Sequence, residues 1–136
     1  MHGIGIDVVE IARVGRLIER YGEKFLRRIY TQGERDYALA HRDPVPSLAA
    51  RFAAKEAALK ALGAGMPDGM IWRDFEVVRH QGPPRLVFNG VAAEIAKAWA
   101  VGAAHLALSH DGGMATAFVV LERETAGVSA SRPTSP

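Results

Sequence analysis

The sequence predicts a single compact α+β domain, an antiparallel sheet with a long central helix, and three observations predict it. The chain opens on a β-branched stretch, Gly3-Ile-Gly-Ile-Asp7-Val-Val9, of strand character. Its middle holds an alanine-rich segment, Arg51 to Leu62, that reads as one helix closed by Gly63. From Glu76 onward, short segments of strand type are joined mostly by turn residues, which marks hairpins rather than parallel crossovers. A chain of 136 residues accommodates one core and not two. The domain is placed at residues 1–124. The low-complexity segment 125–136 is expected to be a disordered tail.

Each element follows from local pattern. Residues 3 to 9 form a buried strand whose glycines permit another backbone or a ligand to come close. Within it Asp7 is anomalous, because a carboxylate in an apolar strand is costly without a cation, a metal or hydrogen-bond donors beside it. From Glu10 to Tyr21 the period turns helical, with Ile11, Val14, Leu17, Ile18 and Tyr21 on one arc and Arg13, Arg16 and Arg20 on the next. Gly22 breaks or kinks this helix, and residues 24–30 add a turn or two. Thr31 and Glu34 have capping-box spacing and start a helix to about Ala40. Residues 41–46 form a loop by virtue of Pro44 and Pro46, and Ser47 is the expected N-cap of the alanine-rich helix. Residues 64–69 are a turn-rich loop, and strands at 76–79 and 85–88 flank a turn at 81–84. Asn89 is the expected cap of a helix over 90–101, with Val91, Ile95, Ala98 and Trp99 on its buried face. A strand at 104–109, a turn at Asp111-Gly-Gly113 and a strand at 114–122 complete the domain.

Composition excludes several classes of function. The chain has no cysteine, so disulfides, thiolate metal sites and cysteine nucleophiles are ruled out, and any metal must be held by oxygen or imidazole. No apolar run reaches the ~18 residues of a membrane span and the first residues are no signal peptide, which predicts a cytoplasmic protein with no membrane partner. A formal net charge of +2 is too mild to argue for nucleic acid. The charge is unevenly placed, however: Arg13, Arg16, Arg20, Lys24, Arg27 and Arg28 stand against Glu19 and Glu23 alone. Neither a dinucleotide-binding glycine fingerprint nor a Walker A loop is present.

Three features could converge on chemistry. Asp7 lies in the first strand. Glu56 and Lys60 are four apart on the central helix, about 40° apart around its axis. Ser109 and His110 stand at a strand end before two glycines. Two carboxylates without cysteine suit a hard divalent cation such as Mg2+, which takes a few carboxylates, waters and phosphate oxygens. A lysine one turn beyond a metal carboxylate is placed to meet a phosphate on that metal. A hydroxyl, an imidazole and free backbone N–H groups could receive another phosphate. The structural alternatives are an exposed Glu–Lys helix pair, an aspartate paired to an arginine or capping a helix, and a Ser-His with no ligand at all.

The opening Gly3-Ile-Gly-Ile-Asp7-Val-Val-Glu10-Ile, the segment Arg51-Phe-Ala-Ala-Lys55-Glu56-Ala and Leu108-Ser-His110 together resemble the holo-[acyl-carrier-protein] synthase group of 4'-phosphopantetheinyl transferases. The order and spacing match from about residue 3 to 123. The resemblance implies transfer of the phosphopantetheine arm of coenzyme A to a serine of an acyl carrier protein, releasing adenosine 3',5'-bisphosphate. It implies Mg2+ held by Asp7 and Glu56, and Lys60 at the departing phosphate. Either Glu56 or a metal-bound water would be the base. It further implies positive charge from Arg51 and Lys55 around the phosphates. A homotrimer is implied as well, in which Ser109 and His110 of a neighbour reach the adenosine 3'-phosphate region. Carrier proteins are acidic, so Arg13, Arg16 and Arg20 become the expected docking face. Two other readings compete: a non-catalytic binding module of the same fold, and a nucleic-acid-binding domain using the arginine-rich helix. The joint presence of Asp7, Glu56 and Lys60 weighs against the first. Glu19, Glu23 and the lack of an aromatic stacking platform weigh against the second.

Overall fold

The computed structural model describes residues 1–125, so the expected tail lies, apart from Thr125, outside the described residues. The element order is β1 (Gly3–Glu10), α1 (Ile11–Tyr21), α2 (Glu23–Ile29), α3 (Gln32–Leu39) and α4 (Val45–Leu62). A short 3-10 turn (Trp72–Asp74), β2 (Phe75–Val78), β3 (Arg85–Phe88), α5 (Gly90–Ala98), β4 (Val101–Asp111) and β5 (Met114–Arg123) follow. β1, β5 and β4 form one antiparallel sheet in that order, and β2 and β3 pair as a separate hairpin. The first strand and the last are therefore neighbours, with Asp7 opposite Ala117 and Ala117 opposite Leu108.

The position of α4 decides the rest. It lies against the inner face of the sheet, where Ala53, Ala54, Ala57, Ala58 and Ala61 are buried against Val9, Ala115, Ala117, Val119 and Leu121. Small side chains on both surfaces bring the two backbones unusually close. At Gly3 and Gly5 a Cβ atom would overlap the carbonyl oxygens of Ala61 and Ala57 respectively. The strand glycines are required by this approach, and they carry Asp7 onto the same face, two residues along. Gly63 then ends the helix in the left-handed conformation (φ 84°).

A second, polar set of contacts ties α3 and the β2–β3 hairpin to α4. The capping box forms as the sequence predicts: Glu34 N–H donates to Thr31 Oγ1 (3.2 Å), and Thr31 N–H donates to Glu34 Oε1 (2.9 Å). Glu34 is itself buried. It also takes the Val77 N–H on Oε2 (2.9 Å) and the Lys55 ammonium on Oε1 (2.7 Å). Nearby, the Tyr30 hydroxyl donates to Leu48 O at 2.7 Å, and burial together with Glu34 keeps it protonated.

Four local expectations differ from the structure. β1 is buried on one face only, and Ile4, Ile6 and Val8 are exposed on the other. α4 begins at Val45, with Pro44 in the cap position and Pro46 inside the first turn. Ser47 therefore lies within the helix, where its Oγ accepts from Arg51 at 2.7 Å. Proline suits the first turn because the N–H it lacks has no partner there anyway. Asn89 holds the cap position of α5 without capping it. The buried Asp74 carboxylate accepts the Ala92 N–H instead (3.3 Å), while Asn89 Nδ2 donates to Arg73 O and Glu76 Oε1. α5 ends at Ala98, which leaves Trp99 45% exposed rather than in the core.

The close approach of β1 to α4 is testable. Gly5→Ala must push the strand off the helix or distort both, and overpacking of this kind costs about 1–3 kcal/mol or more. Thermal unfolding should show a melting temperature lower by several degrees, whereas Gly22→Ala, where nothing lies within 4 Å of the added carbon, should cost only its backbone strain at φ 56°.

Candidate active site

Asp7 and Glu56 meet at the edge where β1 crosses α4. Lys60 closes the group: its ammonium donates to Asp7 Oδ1 and to Ile6 O, both at 3.1 Å. The Asp7 side chain is 17% exposed and that of Lys60 54%, so the group opens to solvent on the lysine side. Burial raises the Glu56 carboxyl above the usual carboxylate range, and the Asp7 charge raises it further. Lys60 and Arg13 oppose that shift. Two carboxylates thus face each other with incomplete compensation, in a position to give two oxygen ligands to a hard divalent cation. Among the described residues there is no cluster of three or more His, Cys, Asp or Glu. The remaining ligands of such a cation would be waters and phosphate oxygens, as Mg2+ prefers.

Arg51 faces elsewhere. Five positions from Glu56 is about 140° around a helix, and its guanidinium lies over the Tyr37 ring, 4.2 Å from the centroid. One nitrogen donates to Ser47, while Nε and the other terminal nitrogen are buried without a partner, and burial lowers the basicity of the group. Arg51 lines a cavity of about 600 Å3 together with Tyr37, His41, Arg79, Ser109 and His110. The two sequence-predicted phosphate sets, Arg51 and Ser109-His110, are therefore one set within a single chain. Asp7, Glu56 and Lys60 do not line that cavity. Tyr37, His41 and Arg79 were not nominated from sequence, since each sits outside any motif.

Lys55, expected at the phosphates, does not line that cavity. Its side chain is fully buried, and its three ammonium hydrogens are directed at Glu34 Oε1, Trp72 O and Phe75 O. None is left for a phosphate.

Residues 3–118 match the 4'-phosphopantetheinyl transferase superfamily. The chain belongs to that superfamily. A holo-[acyl-carrier-protein] synthase of Koribacter versatilis is 49% identical over 121 residues, which span 88% of this chain and 97% of the relative. Among transferases of known structure, the holo-[acyl-carrier-protein] synthase of Neisseria meningitidis superposes with a TM-score of 0.83 at 31% identity, over 90% of this chain and 99% of its own. The Helicobacter pylori synthase in complex with coenzyme A does so with a TM-score of 0.76 at 31% identity, over 88% and 99%. The single-domain α+β fold with an antiparallel sheet is thus that of the superfamily.

The arginine stripe of α1 leads away from the acidic pair. Arg13 is exposed and near enough to Glu56 to influence its ionisation. Arg16 is tied loosely to Glu10 at 3.2 Å, and Arg20 lies over Tyr21. Beside the stripe is a cleft of about 740 Å3, whose lining includes Leu17, Tyr21, Phe25, Phe52 and Trp72 and whose cations are Lys24 and Arg28. Phe52 is one helical turn from Glu56, so the cleft adjoins the acidic pair. Lys24 and Arg28 belong to the cationic excess visible in the sequence, but only the fold shows that they border an apolar cleft.

The Glu56 environment makes a signed prediction. A carboxyl whose folded-state ionisation is held above the unfolded range lowers stability as pH rises through that raised range. Glu56→Gln removes the strain, so its melting temperature at pH 8 should match or exceed the parent's by roughly 1–4 °C, and the gap should close toward pH 4. A lower melting temperature at pH 8 would contradict this account of the pair.

Proposed function

We propose that the chain is a holo-[acyl-carrier-protein] synthase. It transfers the 4'-phosphopantetheine group of coenzyme A to a serine of an apo-acyl carrier protein and releases adenosine 3',5'-bisphosphate. The observation that carries the reading is the meeting of Asp7 and Glu56 beside Lys60 at the β1–α4 crossing. Mg2+ fits the two-carboxylate donor set and, when bound, would supply Lewis-acid stabilisation of the coenzyme A diphosphate. Asp7 and Glu56 would hold it. The serine oxygen attacks the phosphorus that bears pantetheine, and the bond from that phosphorus to the bridging oxygen breaks. The serine proton passes to Glu56 or to a water that Glu56 holds. Lys60, one turn from Glu56, neutralises the charge that develops on the departing phosphate.

The second half of the site comes from another copy of the chain. Arg51, Ser109 and His110 share one cavity that lacks the acidic pair, and the unpartnered Arg51 donors suit a phosphate, in this reading that of the adenosine ribose. The outer face of the sheet supports assembly. Ile4, Ile6 and Val8 are each 53% exposed and Phe118 is 39% exposed, an apolar face that a lone chain leaves in water. A homotrimer, as the family resemblance implies, would cover that face and bring the two half-sites together. Arg13, Arg16 and Arg20 receive the acidic carrier protein, with Lys24, Arg28 and the apolar cleft extending that surface. No described helix is long and apolar enough to cross a membrane, and a cytoplasmic location belongs to the same reading.

The direct test incubates the protein with coenzyme A, Mg2+ and apo-carrier and weighs the carrier. A phosphopantetheine-sized gain is expected, and its absence on every carrier tried would sink the reading. Asp7→Asn and Glu56→Gln should each lower turnover by at least about a hundredfold. Arg13→Glu should raise the KM for carrier about tenfold and leave that for coenzyme A nearly unchanged; the reverse order would remove α1 from the docking face. Ile6→Glu should yield monomers in sedimentation experiments and, with them, loss of transfer. An active monomer would refute a shared site.

A further inference from the structure

A lysine and a glutamate with no part in the transfer chemistry are sealed in the core next to the active site. Lys55 and Glu34 have side chains with no exposure at all, and they meet at 2.7 Å. Every hydrogen of the ammonium is directed at an acceptor: Glu34, Trp72 O and Phe75 O. Glu34 is fixed in turn by the Thr31 and Val77 N–H groups, each at 2.9 Å. One side chain of α4 is thereby pinned to α3, to the 3-10 turn and to β2. Burying such a pair is no efficient way to gain stability, since an apolar pair of similar volume often does as well. What it adds is direction.

Most of the buried surface of α4 is alanine, at 49, 50, 53, 54, 57, 58 and 61, which gives shallow ridges. Leu48 and Leu62 are buried near its ends and Arg51 lies over Tyr37; Lys55 is the side chain that carries an ion pair from the middle of α4 into the neighbouring layer. It lies between the two functional positions: Arg51 is one turn before it and Glu56 is its next neighbour. A rotation of the helix by about 20° would move a carboxylate on its surface by roughly 2 Å, whereas metal–ligand distances tolerate only about 0.2 Å. We infer that the buried Glu34–Lys55 pair is a positioning peg that sets the rotation of α4 and so aims Glu56 and Arg51 in their two half-sites. Lys55 is thus a positioning residue and not a phosphate ligand. The inference rests on the Mg2+-dependent reading of the site given above.

The test measures coenzyme A binding by calorimetry over a series of Mg2+ concentrations, well below the melting temperature of each protein. Glu34→Asp keeps the charge and withdraws the carboxylate by about one carbon–carbon bond. The double variant Glu34→Gln, Lys55→Met replaces the ion pair with a neutral pair of similar volume. Both should raise the Mg2+ concentration for half-maximal binding about tenfold or more, as loss of a group supporting a metal ligand does. Leu121→Ala in β5 is the control, a fully buried residue opposite Gly3 and outside the Glu34–Lys55 contacts, which lowers stability and should leave the Mg2+ requirement within about twofold. An unchanged requirement in Glu34→Asp, or an equal rise in Leu121→Ala, overturns the inference. If the double variant does not fold, the comparison of Glu34→Asp with Leu121→Ala decides alone. Parent protein whose coenzyme A binding ignores Mg2+ would overturn the site reading itself, and the peg with it. That outcome is distinct from a parent that responds and a variant that responds equally.

Discussion

Everything in this molecule depends on how closely β1 can lie on α4. Two glycines on the strand and a run of alanines on the helix remove the side chains that would hold the two backbones apart. The gain is positional. A strand at ordinary distance from a helix would leave a short aspartate out of reach of a glutamate on that helix. Here Asp7, two residues beyond Gly5, is close enough for its charge to raise the Glu56 carboxyl. The unfavourable side of that proximity is also visible, in two partly buried carboxylates with one exposed lysine between them. Such local strain is what a cation-binding site looks like before its other ligands are counted.

The same helix divides the polar residues by rotation. Glu56 and Lys60 share a face because four residues are nearly one turn. Arg51 and Lys55 share a second face for the same reason, and they do different work. Lys55 is locked among Glu34 and two carbonyl oxygens, while Arg51 retains two unpartnered donors at a cavity wall. A helix with little but alanine between these charges leaves each of them readable as either structural or functional until its surroundings are known.

That explains which parts were legible in the sequence. The strand order was not needed to recognise β1, the capping box at Thr31 and Glu34, or the closing Gly63, because each rests on a signal within a few residues. The pairing of Asp7 with Glu56 was suggested by residue chemistry and sharpened by resemblance; the fold supplies the glycine contacts that make it possible. The resemblance places Lys55 at the phosphates, and nothing within a few residues of it reveals its buried partner 21 positions away. Ser47 has the chemistry of a cap, but α4 starts two residues earlier, on Val45. Trp99 falls on the apolar side of a helix drawn to residue 101, but α5 stops at Ala98. Tyr37 and His41 lie four apart at the end of α3, but Arg51, Arg79, Ser109 and His110 join them only through the fold, so the spacing of the pair does not reveal the cavity.

Asp7 and Glu56 are placed to serve one cation. Titration of Mn2+ into the protein with coenzyme A, followed by electron paramagnetic resonance, addresses it most directly. One tightly held ion per chain is predicted, with loss of most of that affinity in Asp7→Asn and in Glu56→Gln alike. Undiminished binding in either variant would show that the two carboxylates do not act together.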